Sequence, residues 1–272
     1  MKSNVMLEDL HLRNFLLRIP SFDSLTTEEL FNHYGKPYEV PIRRVDGKAP
    51  EPHAPPHAIY PMIPSLPANE ISDPEVIISD YGTSFIPTQT ASPTLHTPAL
   101  YANPGDFFQE PVTPAADVWT LGVNLYEVLG ERPLFETFAC GRDDIIGEMV
   151  STLGPLPARW WNSWANRGEF FEPNGEWVAD FHRISMPMFR RLRQRLWDMG
   201  RGETPETCQW DVAGGELQDL EDLLRGMMAF EPVERLTAEQ LMGSEYMTKW
   251  ALPAWERQTR GKGSRQASRY DI

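Results

Sequence analysis

The chain has 272 residues, 41% apolar and 11% aromatic, which is enough to bury a substantial core in one large domain or two small ones. Its 39 acidic side chains against 25 basic ones leave a formal charge of −14, which repels a phosphate backbone, argues against nucleic acid and suits a basic partner. Only Cys140 and Cys208 are present, without a C-x-x-C or a clustered histidine, so neither a disulfide framework nor a zinc site is indicated and a reducing compartment is expected.

Residues 4–20, NVMLEDLHLRNFLLRIP, read as a short apolar strand, a polar turn and a second strand closed by Pro20. The charged opening is unlike a signal peptide, and no apolar run approaches the roughly 18 to 20 residues that cross a bilayer, so no membrane association and a cytoplasmic or nuclear location are expected. From Gly35 to Pro74 prolines crowd the sequence, which should sustain neither a helix nor a central strand because proline lacks the backbone donor. PEVIISDYG resumes a strand that ends in a glycine turn, followed by a Pro- and Thr-rich loop to about Pro114.

Helical patterns then dominate. Pro114 precedes AADVWTLGVNLYEVLG, in which Val118, Leu121, Leu125, Val128 and Leu129 recur at helical spacing and predict a buried central helix. A second helix is predicted from Asp143 or Asp144, carrying Ile145, Ile146, Met149 and Val150 to a stop at Gly154 and Pro155. A third carries Leu217, Leu220, Leu224 and Met227, and a fourth opens at Thr237, where Gln240 completes a capping box. The basic, Gly/Ser-containing tail beyond 252 is expected to be disordered.

Asp9 and Asn14 lie in the first loop and Asp80 at the turn after the later strand, so three oxygen-bearing side chains occupy loops at strand ends. Such oxygens suit magnesium, a hard cation that takes a few protein ligands beside substrate phosphates. Singly, each residue reads more readily as a turn former or cap, and only their combination and order favour chemistry.

Five motifs in order carry a resemblance: DLHLRN resembles the protein-kinase catalytic loop, DYG at 80–82 the metal-binding turn, HTPALYANPG the substrate-positioning loop, ADVWTLG the central helix, and EPVERLT the Arg-containing segment near the end of the lobe. The chain thus resembles the C-terminal lobe of a eukaryotic protein kinase over residues 1–252. The DLHLRN form, the PLF segment and DDIIGEMVSTLGPLP resemble SR-protein kinases and their fungal relatives. The resemblance implies a mainly α fold with a few short β-strands, a long Pro-rich insertion at 35–74 and a polar tail at 253–272. It implies ATP and magnesium as cofactors, a basic, Arg/Ser-rich protein substrate, and phosphoryl transfer to serine or threonine. Asp9 would orient the hydroxyl and take its proton, His11 would stand where a phosphate-contacting lysine is common, and Thr97 would contact Asp9. Asn14 and Asp80 would hold magnesium, and Asp117 would accept backbone hydrogen bonds from the catalytic loop. Asp143, Asp144 and Glu148 would form an acidic docking face for Arg-rich peptides, although a solvated helix start accounts for them better.

Departures from the family pattern point the other way, towards a non-catalytic, pseudokinase-like interaction module. No Gly-rich loop, strand lysine or helix glutamate precedes the catalytic loop, Leu7 replaces a histidine, and Gly105 replaces the glutamate that normally pairs with Arg235, leaving Asp106 as the nearest substitute. Without the parts that cover the nucleotide, weak ATP binding and negligible turnover are expected. Elsewhere, Trp160, Trp161 and Trp164 read as core anchors. His53 and His57 lack the partners of a metal site, and Arg190, Arg191, Arg193 and Arg195 read as the solvated face of an amphipathic helix.

Overall fold

The computed structural model describes residues 5–7, 9–18, 24–60, 75–90, 96–130, 132–137, 141–178, 190–199 and 209–257. Pro20, residues 61–74, both cysteines and the tail from 258 lie outside the described residues. The chain divides into two compact units, one within Met1–Phe15 and Ile78–Gln258, the other containing Leu16–Ile77. The described residues are mainly helical with a few short strands.

The first unit carries the short α2 (Pro104–Phe107) and is built on α3 (Ala115–Gly130), α4 (Arg142–Leu153), α6 (Leu192–Trp197) and α7 (Glu216–Met227). Trp119, Val123 and Tyr126 of α3 pack with Ile145, Met149, Leu196, Leu220 and Leu224 in its main core. The face of α3 differs from the expected stripe: Leu121 and Val128 are exposed, while Trp119, Val123 and Tyr126 are buried. A helix that is apolar almost all round does not reveal its inner face by period alone, and the large aromatic side chains bury the most area. Helix α4 begins at Arg142 after Gly141 and stops at Gly154, whose φ of +115° only glycine adopts easily. A second core gathers Trp160 and Trp164 around α5 (Ala158–Ser163) with Phe170 and Phe171, and Trp161 packs against it. The expected capping box opens α8 (Ala238–Met242), with Thr237 and Gln240 bonded reciprocally. A π-helical turn over Tyr246–Ala251 runs into helix through Arg257, so 253–257 is ordered helix where a disordered tail was expected.

In the second unit, α1 (Thr27–Tyr34) is fixed by a capping box between Thr26 and Glu29. Strands β2 (Glu39–Pro41) and β3 (His57–Ile59) pair antiparallel, Val40 opposite Ala58. The described part of the Pro-rich stretch, residues 35–60, therefore holds a two-stranded ribbon rather than a purely extended spacer. Both its strands are edges, where proline costs no ladder bond. The Arg44 guanidinium ties the ribbon's loop to Asp46 and Glu51. Strands β1 (Phe15–Leu17) and β4 (Val76–Ile78) form the other two-stranded sheet.

Candidate active site

The loop carrying Asp9 is held at both ends. Met6 bridges antiparallel to Phe85, donating to the Phe85 carbonyl at 2.9 Å and accepting at 3.1 Å, and both side chains are buried with Ala116. Next to this bridge the Leu7 amide donates to Asp117 Oδ2 at 2.8 Å, so the first turn of α3 anchors the loop's start. A 3₁₀ turn at Leu12–Asn14 closes its end, and there Asn14 Nδ2 donates to the Asp9 carbonyl at 2.8 Å. In between, the Asn124 carboxamide donates to the Leu10 carbonyl.

Asn14 is also the hinge to Asp80. Its carbonyl accepts both the Ser79 amide, at 2.8 Å, and the Ser79 hydroxyl, at 3.1 Å. Asp80 follows directly, in left-handed backbone (φ 61°, ψ 61°), exposed and making no side-chain cap to the turn after it. Asp and Asn are the non-glycine residues that tolerate this conformation best. The Asn14 amide nitrogen is committed to Asp9, which leaves its carbonyl-type Oδ1 as the atom able to bind a cation. One carboxylate and one amide oxygen are of the kind magnesium prefers, hard ligands in small number. Among the described residues no group of three or more His, Cys, Asp or Glu could hold a metal ion, so a zinc-type cage is not formed there.

Asp9 Oδ1 is buried without a hydrogen-bond partner, as is His11 Nδ1. His11 Nε2 lies 3.7 Å from Asp9 Oδ1, within ion-pair range but too long for a hydrogen bond. The His11 ring stands 6.3 Å from that of Tyr101, whose hydroxyl donates to Glu127 Oε2 of α3. Burial, reinforced by that bond, pushes the Tyr101 hydroxyl well above the usual phenol value. Thr120 donates to the Tyr101 carbonyl at 3.2 Å, tying the loop that follows half-buried Thr97 to the same helix.

Of the residues expected to form an acidic docking face, Asp143 and Asp144 are half-buried at the start of α4 and Glu148 is drawn inside. Glu148 is buried and paired with Arg195 at 2.5 Å, and Arg195 is itself enclosed, donating also to the Leu134 and Arg190 carbonyls. Arg195 therefore is not on a solvated face. Of its neighbours, Arg190 pairs with Glu136, Arg191 donates to the Val150 carbonyl and Arg193 reaches Glu221. Asp143 accepts from Trp164 Nε1 at 2.6 Å and Asn166 Nδ2 at 2.7 Å, while half-buried Asp144 turns back toward Gly141.

Buried Arg235 donates to three carbonyls, those of Ala115, Ala229 and Phe230, and lies 5.2 Å over the Trp119 ring. Asp106 is not among these partners. Burial pulls the guanidinium down to about 10. The acidic link in this region joins other residues: Arg159 binds both Glu110 and Glu231, and Trp160 Nε1 donates to Glu110 at 2.6 Å. Sequence reasoning missed Asn124, Glu127 and the Glu110–Arg159–Glu231 cluster. The one signal available was a polar residue inside an apolar helical run, at Asn124.

No family model matches the chain. It is 29% identical over 140 residues to the mitogen-activated protein kinase MPS1 of Pyricularia oryzae and likewise to the mitogen-activated protein kinase mpkA of Aspergillus fumigatus. It is 25% identical over 140 residues to the serine/threonine-protein kinase KDX1 of Saccharomyces cerevisiae. Each match covers 51% of this chain and 26 to 27% of the relative, so the chain matches about a quarter of the length of these curated relatives.

Proposed function

We propose that this protein-kinase-like region serves phosphoryl transfer from magnesium-bound ATP to a serine or threonine hydroxyl, in a protein substrate rich in arginine and serine. The observation that carries the proposal is the shared hinge at Asn14, whose side chain grips the Asp9 backbone while its carbonyl holds Ser79 beside Asp80. One residue thus couples the candidate base to the candidate metal ligands, the order that phosphoryl transfer needs because positioning and charge supply nearly all of its catalysis. Asp9 Oδ1, buried and without a hydrogen-bond partner, would accept the hydroxyl proton as the oxygen bonds to phosphorus and ADP leaves. Asn14 Oδ1 and the Asp80 carboxylate would hold magnesium. When bound, Mg·ATP supplies the phosphoryl group and the positive charge that offsets its oxygens. His11, 3.7 Å from Asp9, would offer the phosphates a charge only when protonated. The acidic excess of the chain favours a basic substrate.

Calorimetric titration of ATP into the chain, with and without magnesium, tests this. Binding should require magnesium and be lost in Asp80→Asn, which removes the charge but keeps a residue suited to left-handed backbone. A folded sample that binds no Mg·ATP would overturn the proposal and leave a non-catalytic interaction module as the better account.

A further inference from the structure

We propose that Asn124 is a positioning residue for the Asp9 loop: from the buried face of α3 its carboxamide holds the Leu10 carbonyl and so sets where the Asp9 carboxylate points. Its consequence for Mg·ATP rests on the kinase proposal above; the clamp itself does not.

Asn124 is only 2% exposed and sits between Val123 and the neighbours of Tyr126, on the side of α3 that faces the core. A carboxamide is costly there unless its donors are used, and an apolar side chain would serve packing better. Asn124 has two amide donors and turns both to carbonyls, Leu10 and Thr120, the latter at 2.7 Å. The Thr120 bond lies within the helix and is open to an asparagine at any helical position. The Leu10 bond spans 114 residues of sequence and has no such local origin.

Asn124 Oδ1 is buried with no donor. The amide is therefore oriented by the two carbonyls, since turning it over would set oxygen against oxygen. Leu10 is itself buried and lies between Asp9 and His11. With Asp117 on the Leu7 amide and Asn14 on the Asp9 carbonyl, Asn124 on the Leu10 carbonyl completes three side-chain holds around one residue. Removing it frees the Leu10–His11 peptide, one residue beyond Asp9, while leaving both outer anchors in place.

The test uses the full chain as wild type, Asn124→Leu and Asn124→Asp. In the wild type, both Asn124 amide protons should exchange slowly, with a scalar coupling across the hydrogen bond from Nδ2 to the Leu10 carbonyl carbon. Both variants, which lack the donors but approximate the volume, should raise amide exchange across 9–14 at least tenfold and leave α7 protected. Their Mg·ATP affinity should fall at least tenfold with cooperative unfolding retained. Wild-type exchange across 9–14 in Asn124→Leu, loosening in one variant but not the other, an absent coupling, or unchanged Mg·ATP affinity would each overturn the proposal. A wild type that binds no Mg·ATP would end the kinase proposal, and the coupling and exchange results would still decide for or against the clamp.

Discussion

Arg195 and Glu148 show at the level of single residues how a charge can be kept inside this protein. The guanidinium spends its donors on Glu148 and two carbonyls, so enclosure leaves little of its hydrogen-bonding capacity unused. Glu148→Gln should destabilise the chain by about 3–5 kcal/mol in urea unfolding, because it strands a buried cation, whereas Glu148→Leu combined with Arg195→Met should cost much less. The partly exposed Glu110 behaves differently. The bond from Arg159 holds its carboxyl below the ordinary value of 4.5, so the unfolded chain takes up its proton first. That stabilisation is fully present above 4.5 and is lost as pH falls through the lower folded value; as a surface pair it is worth less than about 1 kcal/mol. The stability difference between wild type and Glu110→Gln should therefore shrink as acidic pH is approached in a denaturant series. Neither environment was legible in the sequence. Arg195 stands in a run of arginines that looks solvated, and its partner lies 47 positions away. Asp9, Asn14 and Asp80 were legible because their spacing and order are local, whereas Asn124 and Glu127 act on loops far away in sequence.

For the helices, caps were readable, and so were the inner faces of α4 and α7, where Ile145, Met149, Leu220 and Leu224 are buried as their spacing predicts; the face of α3 was not. Thr237 with Gln240 was evident as a capping box, and the same pattern at Thr26 and Glu29 would have revealed α1 inside a stretch dominated by its proline-rich neighbour. The inner face of α3 depends on what packs against it, and α7 approaches at Gly122. A methyl group there would lie 3.0 Å from Met227 Cβ and Met228 Cγ, closer than ordinary contact. Gly122→Ala should thus cost about 1–3 kcal/mol through overpacking, despite alanine's better helix propensity, and a lowered denaturant midpoint would show it.

At the scale of the whole chain, the three buried apolar clusters among the described residues all fall within Met1–Phe15 and Ile78–Gln258. The other unit is organised by a capped helix, a two-stranded ribbon and ion pairs such as Arg18 with Glu75. The Arg18 amide donates to the Glu75 carbonyl at 2.9 Å, so the chain leaves and returns at neighbouring points. Replacing residues 19–74 with a short Gly/Ser linker should preserve cooperative unfolding and helical circular dichroism of the larger unit, since loop closure across adjacent ends costs little. Loss of cooperativity would mean that the replaced segment supports the core. The order of motifs along the chain foretold the helical architecture. The point of division did not show in composition, because the proline-rich signal begins well after Leu16, where the second unit starts.

Asp80 keeps a left-handed backbone that costs an ordinary residue roughly 1–2 kcal/mol and glycine almost nothing. Evolving this chain for heat resistance alone would consequently draw position 80 towards glycine. The winner of such a selection would melt later and would have discarded the Asp80 carboxylate, so a screen for this protein has to score ligand binding beside endurance.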